Sequence, residues 1–362
     1  MSKFLLVGST EPYSGKSAAT LGLASHLQQQ GFKVAYGKPI GQCAHDDCMI
    51  GGPDPDLDFI ADSLGLTLAD QPPSILQLDQ DALLTQMTQP RQVDYLEPLR
   101  QFGRATPADL VVLEGPGDLR EGQLFGLSLG EVASGLDAQV LLIGRYHATG
   151  IVDGLLSAHQ LLGDRLAGVL INDVSPQEMA QAESVVRPFL ESRGIQVLGI
   201  LPSNRILRSI SVGELARQLE AEILCCEDRL DLMVADFAIG AMNVNAALKY
   251  FRKSDHKAVI TGGDRTDIQL AALETSTLCL ILTGRLPLDE RIRSRAEELE
   301  VPILSVDLDT FTTIERIERV FGQVRLHETA KVRCIQELMS KNFDFSRLYG
   351  QLALTPHLVP SA

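Results

Sequence analysis

Short apolar runs recur along the first two hundred residues, at 4–7, 33–36, 110–113, 140–143, 166–171 and 197–200. Each has the length of a strand, and none alternates apolar with polar positions. That pattern predicts strands buried on both faces. Between the first two runs, residues 17–30 carry Leu21, Leu23, Ala24 and Leu27 at helical spacing, and Gly31 ends the segment. Strands separated by helices predict a parallel sheet covered on both sides, with ligands bound outside the carboxyl ends of its strands. After Pro202 the pattern changes. Residues 203–212 are polar and basic, with Asn204, Arg205 and Arg208, and read as a connection between domains. A new unit starts near Gly213, with strands expected at 232–235, 258–260, 278–282 and 303–306 and helices near 242–250, 267–274, 288–298 and 312–321. A segment from His327 carries one helix to Met339, and the last twenty residues have weak pattern. The expected organisation is α/β throughout: a parallel-sheet domain over 1–210, a smaller α/β domain over 213–325, and a C-terminal helix and tail over 326–362.

Composition narrows the partners. Among 362 residues, 32 Lys and Arg face 47 Asp and Glu, a formal charge of -15. Such a surface repels a phosphate backbone, which argues against nucleic acid and anionic membranes. The first apolar run is too short for a secretory signal, and no run approaches the ~20 residues that span a bilayer. A cytoplasmic protein is expected. The six cysteines form no C-x-x-C pair, in keeping with free thiols in a reducing compartment. Cys43, His45, Asp46 and Cys48 lie close in sequence, but no second ligand pair follows to complete a zinc site.

The candidate chemistry sits just after the strands. GSTEPYSGKS, residues 8–17, lies between the first strand and the first helix, where a phosphate loop belongs. Backbone N–H groups at the helix start face an anion, Lys16 reaches outer phosphates, and the Ser17 hydroxyl ligates magnesium. Thr10, Ser14, Gly15, Lys16 and Ser17 are therefore expected to hold ATP. The strict G-x-x-x-x-G-K-[ST] pattern is altered, because Thr10 stands where its first glycine belongs. Glu114 ends the third strand and precedes Gly115-Pro116-Gly117, either as a magnesium contact or as an exposed residue in a tight turn. Asp54, Asp56 and Asp58 offer further carboxylates. Magnesium takes only one or two, with Asp54 preferred, and the others are expected to cap the following helix. Lys38, in Gly37-Lys38-Pro39 after the second strand, is a candidate for a phosphate or a substrate carboxylate, against the alternative of a solvated lysine.

These residues together resemble the dethiobiotin synthetase and cobyrinic acid a,c-diamide synthase group of P-loop proteins. The matches are the long variant loop ending in Gly15-Lys16-Ser17, the Gly-Lys-Pro stretch, the aspartates at 54–58, Glu-Gly-Pro-Gly at 114–117, GVLIND at 168–173 and LGILP at 198–202. The resemblance implies a P-loop NTPase-type domain and an adenine contact from Asn172. Tyr13 stands where that family has a glutamate and Gln42 where it has a serine, so the substrate end departs from the pattern. The second half is similar to the DRTGG domain through ITGGDRTDI, residues 260–268, and LTGR, residues 282–285, with Asp267 and Ile268 replacing the two name-giving glycines. Asp264 and Arg265 become ligand candidates there, or the two ends of a salt-bridged turn. The domain order resembles the N-terminal region of long phosphate acetyltransferases, and the 362 residues hold no counterpart of the acetyltransferase catalytic domain. The resemblance implies an ATP- and magnesium-binding regulatory or sensor protein, a dimer, with a metabolic enzyme as partner. The alternative is an ATP-dependent ligase or amide synthase acting on a carboxylate held by Lys38. A partitioning-type ATPase is disfavoured by the lack of a second lysine early in the loop.

Overall fold

The computed structural model describes residues 2–42, 55–322, 326 and 328–356. The chain divides into two compact units, Met1–Ser203 with Leu326–Ala362, and Asn204–Arg325.

The first unit is built on six parallel strands: β1 (Lys3–Ser9), β2 (Val34–Gly37), β3 (Leu110–Glu114), β4 (Gln139–Arg145), β5 (Leu166–Val174) and β6 (Val197–Pro202). Their order across the sheet is β2-β3-β1-β4-β5-β6. All six coincide with the apolar runs, because strands covered on both faces need apolar residues at every position. The order places β1 between the halves of the sheet, so the loop after it opens at the topological switch point. Helix α1 (Lys16–Gln29) follows that loop, and its residues 19–25 and Leu27 are all buried. A helix apolar on every side must be covered on every side.

The second cover comes from the far end of the sequence. Helices α2 (Leu129–Gly135) and α3 (Ile151–Leu162) flank the middle strands. In the second unit a five-stranded sheet comprises β7 (Glu222–Cys225), β8 (Asp236–Ile239), β9 (Lys257–Gly262), β10 (Thr277–Thr283) and β11 (Ile303–Val306), in the order β7-β11-β10-β9-β8. Four strands run parallel, and β7 is an antiparallel edge. Helices α4 (Val244–Phe251), α5 (Thr266–Leu273) and α6 (Glu290–Glu298) link the parallel strands and α7 (Thr310–Gly322) follows the last of them, with Asn243 and Asp289 capping α4 and α6. The strand expected at 232–235 is divided: Met233–Val234 pairs with Ile210–Ser211 in a small ribbon, and the sheet edge is β8. Ile210, read from the sequence as part of a polar connection, is buried in the second unit's core.

The chain then returns to the first unit as α8 (Thr329–Asn342) and α9 (Phe345–Leu352). The Gln336 amide donates to Ser25 Oγ on α1 at 2.7 Å, and Lys3 Nζ donates to the Leu352 carbonyl at 2.7 Å. Phe345 stacks on His26 with ring centroids 3.5 Å apart, and burial holds the His26 imidazole below its ordinary pKa. The Asp344 N–H donates to the Leu198 carbonyl at 2.7 Å, joining the α8–α9 turn to β6. Among the described residues no helix is long and apolar enough to cross a membrane.

Candidate functional site

The register of the sheet assembles the site. β1 and β3 pair with Val7 opposite Glu114, and β2 and β3 pair with Gly37 opposite Leu113. Glu114, the phosphate-loop start and the end of β2 are thereby brought to one edge. Gly15 caps α1 at φ 92°, a left-handed conformation that suits glycine. Tyr13 also has positive φ and points its side chain outward, half exposed.

Glu114 is only 3% exposed, so the exposed-turn reading does not describe it. Its two oxygens have separate donors: Ser17 Oγ to Oε1 at 2.8 Å and Tyr36 Oη to Oε2 at 3.2 Å. Lys16 Nζ donates to Ser9 Oγ at 3.2 Å and to the Gly117 carbonyl at 3.4 Å. Burial pushes its ammonium below the ordinary lysine pKa. Glu114 opposes that shift, and Lys38 adds to it, which places Lys38 within electrostatic reach of Lys16. The Glu121 carboxylate accepts from the Gly117 N–H, folding the 115–121 loop over the lysine. Ser14 Oγ, in a residue 2% exposed, has no hydrogen-bond partner among the described residues. The Thr10 N–H donates to the Ile143 carbonyl at 3.2 Å, tying the loop start to β4. Asn172, near the end of β5, donates Nδ2 to the Ser14 carbonyl at 2.8 Å.

Thr10, Ser14, Gly15, Lys16, Ser17, Glu114, Lys38 and Asn172 thus gather at the carboxyl edge of one sheet. Asp54 lies outside the described residues, as do Cys43, His45, Asp46 and Cys48. Asp56 begins to appear only as part of the helix Pro55–Ser63, in its acidic first turn. In the second unit Arg265 forms an ion pair with Asp267 at 3.1 Å and donates to the Met242 carbonyl at 3.0 Å, so it closes a turn. Asp264 is exposed beside it. Ser9, Tyr36 and Glu121 are the residues that sequence reasoning did not single out. Tyr36 carried one signal, its place at the end of an apolar strand beside the loop.

The comparisons with known proteins agree with this architecture. Residues 3–211 match the AAA domain and residues 214–320 match the DRTGG domain. Phosphate acetyltransferase of Nitratidesulfovibrio vulgaris is 28% identical over 376 residues, covering 97% of this chain and 52% of that protein. The Synechocystis sp. enzyme of the same name is 25% identical over 378 residues, with the same two coverages of 97% and 52%. The chain spans about half the length of the curated relatives it matches. A solved structure of the CBS and DRTGG domains of Clostridium perfringens pyrophosphatase, complexed with diadenosine tetraphosphate, matches at 19% identity with a TM-score of 0.28, covering 47% of this chain and 85% of that one. With its phosphate loop at the head of a parallel sheet and a DRTGG domain behind it, the chain belongs to the AAA domain family, in its dethiobiotin-synthetase-like P-loop form, and is homologous to the N-terminal region of phosphate acetyltransferases.

Proposed function

We propose that this protein binds ATP with magnesium at the phosphate loop and uses that binding to regulate a metabolic enzyme. The observation that carries the reading is the Ser17–Glu114 hydrogen bond at 2.8 Å beside half-buried Lys16. A hydroxyl and a carboxylate held together next to a lysine form a donor set suited to magnesium and phosphate at once. The Ser14 hydroxyl, without a partner among the described residues, supports a ligand in the loop, since a buried hydroxyl without a hydrogen bond costs about 1–3 kcal/mol until something pairs with it.

In this reading the backbone N–H groups of residues 14–17 and the Lys16 ammonium hold the phosphates. Ser17 holds the metal, with Glu114 joining directly or through water and Asp54 as a further candidate. Magnesium, when bound, neutralises charge between phosphate oxygens. Lys16, half-buried in the loop, has lost part of its hydration and so gains from a bound anion. Asp264 and Arg265 remain candidates for a second ligand in the DRTGG domain. Reaching one would require Arg265 to leave Asp267.

A second reading, an ATP-dependent ligase, rests on Lys38, whose charge acts on Lys16 and could hold a carboxylate near the outer phosphate. Calorimetry of magnesium-ATP binding, with phosphate release followed in the same sample, separates the two. Tight binding with negligible release is the expected result. Steady release would favour an enzyme, with the ligase reading then decided by whether an added carboxylate accelerates release, and absent binding would remove both. In Glu114→Gln the gain in ATP affinity on adding magnesium should shrink by about tenfold. An unchanged magnesium titration would make Glu114 a structural residue.

A further inference from the structure

Asn172 does something in this fold that a contact with a nucleobase does not require. Its Nδ2 donates to the Ser14 carbonyl at 2.8 Å, across 158 residues of sequence. The same amide lies directly against Gly15, where any β-carbon would collide with it. Gly15 is the left-handed residue that turns the loop into α1. The Ser14–Gly15 peptide is therefore fixed on one side: Asn172 holds its carbonyl, and in a trans peptide the N–H points the opposite way. Asn172 is itself anchored, because the Tyr146 N–H donates to the Asn172 carbonyl at 2.8 Å and its strand pairs residue by residue with β4. Its other side-chain atom, Oδ1, accepts no hydrogen bond among the described residues.

We infer that Asn172 is a positioning residue for the phosphate loop, holding the Ser14–Gly15 peptide in the orientation that a phosphate needs. The inference rests on the proposed nucleotide binding and adds a role to it. A peptide has two faces. If the Ser14 carbonyl lost its donor, the peptide would be free to turn, and a carbonyl dipole turned toward the ligand would oppose a phosphate. Preorganised N–H groups bind an anion better than groups that must first be ordered. The loss on removing Asn172 should therefore fall on phosphates as such, whether or not a base is attached.

The test compares two ligands on the full chain: magnesium-ATP and magnesium-tripolyphosphate, which has no base. Asn172→Ala should weaken both, tripolyphosphate by about threefold to tenfold, at an unchanged melting temperature. In the ligand-free variant, amide hydrogen exchange over residues 14–17 should quicken relative to the wild type while β5 stays protected. Loss of ATP affinity alone, with tripolyphosphate binding and loop exchange both unchanged, would leave Asn172 as a base contact only and overturn the inference. Wild-type protein that binds neither ligand would overturn the nucleotide reading. The exchange measurement would still decide whether Asn172 holds the loop, since it needs no ligand.

Discussion

Lys16 shows what the site costs the molecule before any ligand arrives. Burial lowers its pKa from 10.5, so the charged form is less stable in the fold than in water. The unfolded chain therefore binds more protons than the folded one in the window between the lowered value and 10.5, and stability rises with pH across it. Below that window the full penalty is present. Lys16→Met removes the charge while keeping an apolar chain of similar length, and Ser9 Oγ keeps its bond to the Gly117 carbonyl at 2.8 Å. The variant should be about 1 kcal/mol more stable than the wild type at neutral pH, and that gain should vanish as the pH approaches 10.5. Its affinity for magnesium-ATP should fall by about tenfold to a hundredfold. Thermal unfolding across pH and calorimetry measure the two effects. A variant less stable at neutral pH would mean that the ammonium's contacts with Ser9 and Gly117 outweigh its burial.

At the scale of elements, the first unit depends on α8 lying along α1. Gly22, in the middle of α1, faces Met339 and Ile335: a β-carbon there would overlap Met339 Cγ and come within 3.2 Å of Ile335 Cγ1. Replacing a mid-helix glycine normally gains about 0.5–1 kcal/mol, whereas overfilling a packed interface costs about 1–3 kcal/mol. The Ile335 carbonyl lies at 3.4 Å and cannot rotate away as a side chain can, so the cost should win for a β-branched residue. Gly22→Val should lower stability by about 1–2 kcal/mol. Met339→Ala in the same chain should recover part of that loss, a coupling visible in a double-mutant cycle. Strictly additive losses would mean the two helices do not press on one another there. This contact was not legible in the sequence. The six strands of the first sheet were, because burial on both faces writes an uninterrupted apolar run. Lys16 and Ser17 were legible because strand, loop and helix are contiguous there, and Glu114 because a carboxylate closing an apolar run before Gly-Pro-Gly stands out, although it meets Ser17 only through strand register. Ser9, Tyr36 and Glu121 were not: Tyr36 meets Glu114 only through strand register, and Ser9 and Glu121 take part through the fold of the two loops, which no motif position marks. The spacing of Phe345, Leu348, Tyr349 and Leu352 is helical, but α9 has eight residues, too few turns to stand out from a tail. Edge strand β7 is exposed at Glu222 and half-buried at Ile223 and Leu224, and so lacks the run that revealed the others.

At the scale of the whole molecule, the sequence of the second unit is inserted between β6 and α8, both of which belong to the first. The second unit is thus tied by the chain to the first unit at both of its ends. It nevertheless has its own cores on the two faces of its sheet, one around Ile260, Ile281 and Ile317 and one around Phe251, Ile268 and Ile292. Units with separate cores unfold as separate transitions unless something couples them. Calorimetric unfolding should therefore show two transitions. A ligand bound only to the folded first unit stabilises it by about 2.7 kcal/mol at a hundred times its dissociation constant, which for a unit of this size raises the midpoint by about 5–10 °C. Magnesium-ATP should move one transition by that amount. The other transition carries the regulatory question. If it stays fixed, the two attachments transmit nothing at equilibrium, and the regulatory proposal loses its route through the DRTGG domain. If it rises as well, by a smaller amount, that rise measures the coupling free energy between the units. By reciprocity a ligand of the second unit must then change ATP affinity by the corresponding factor.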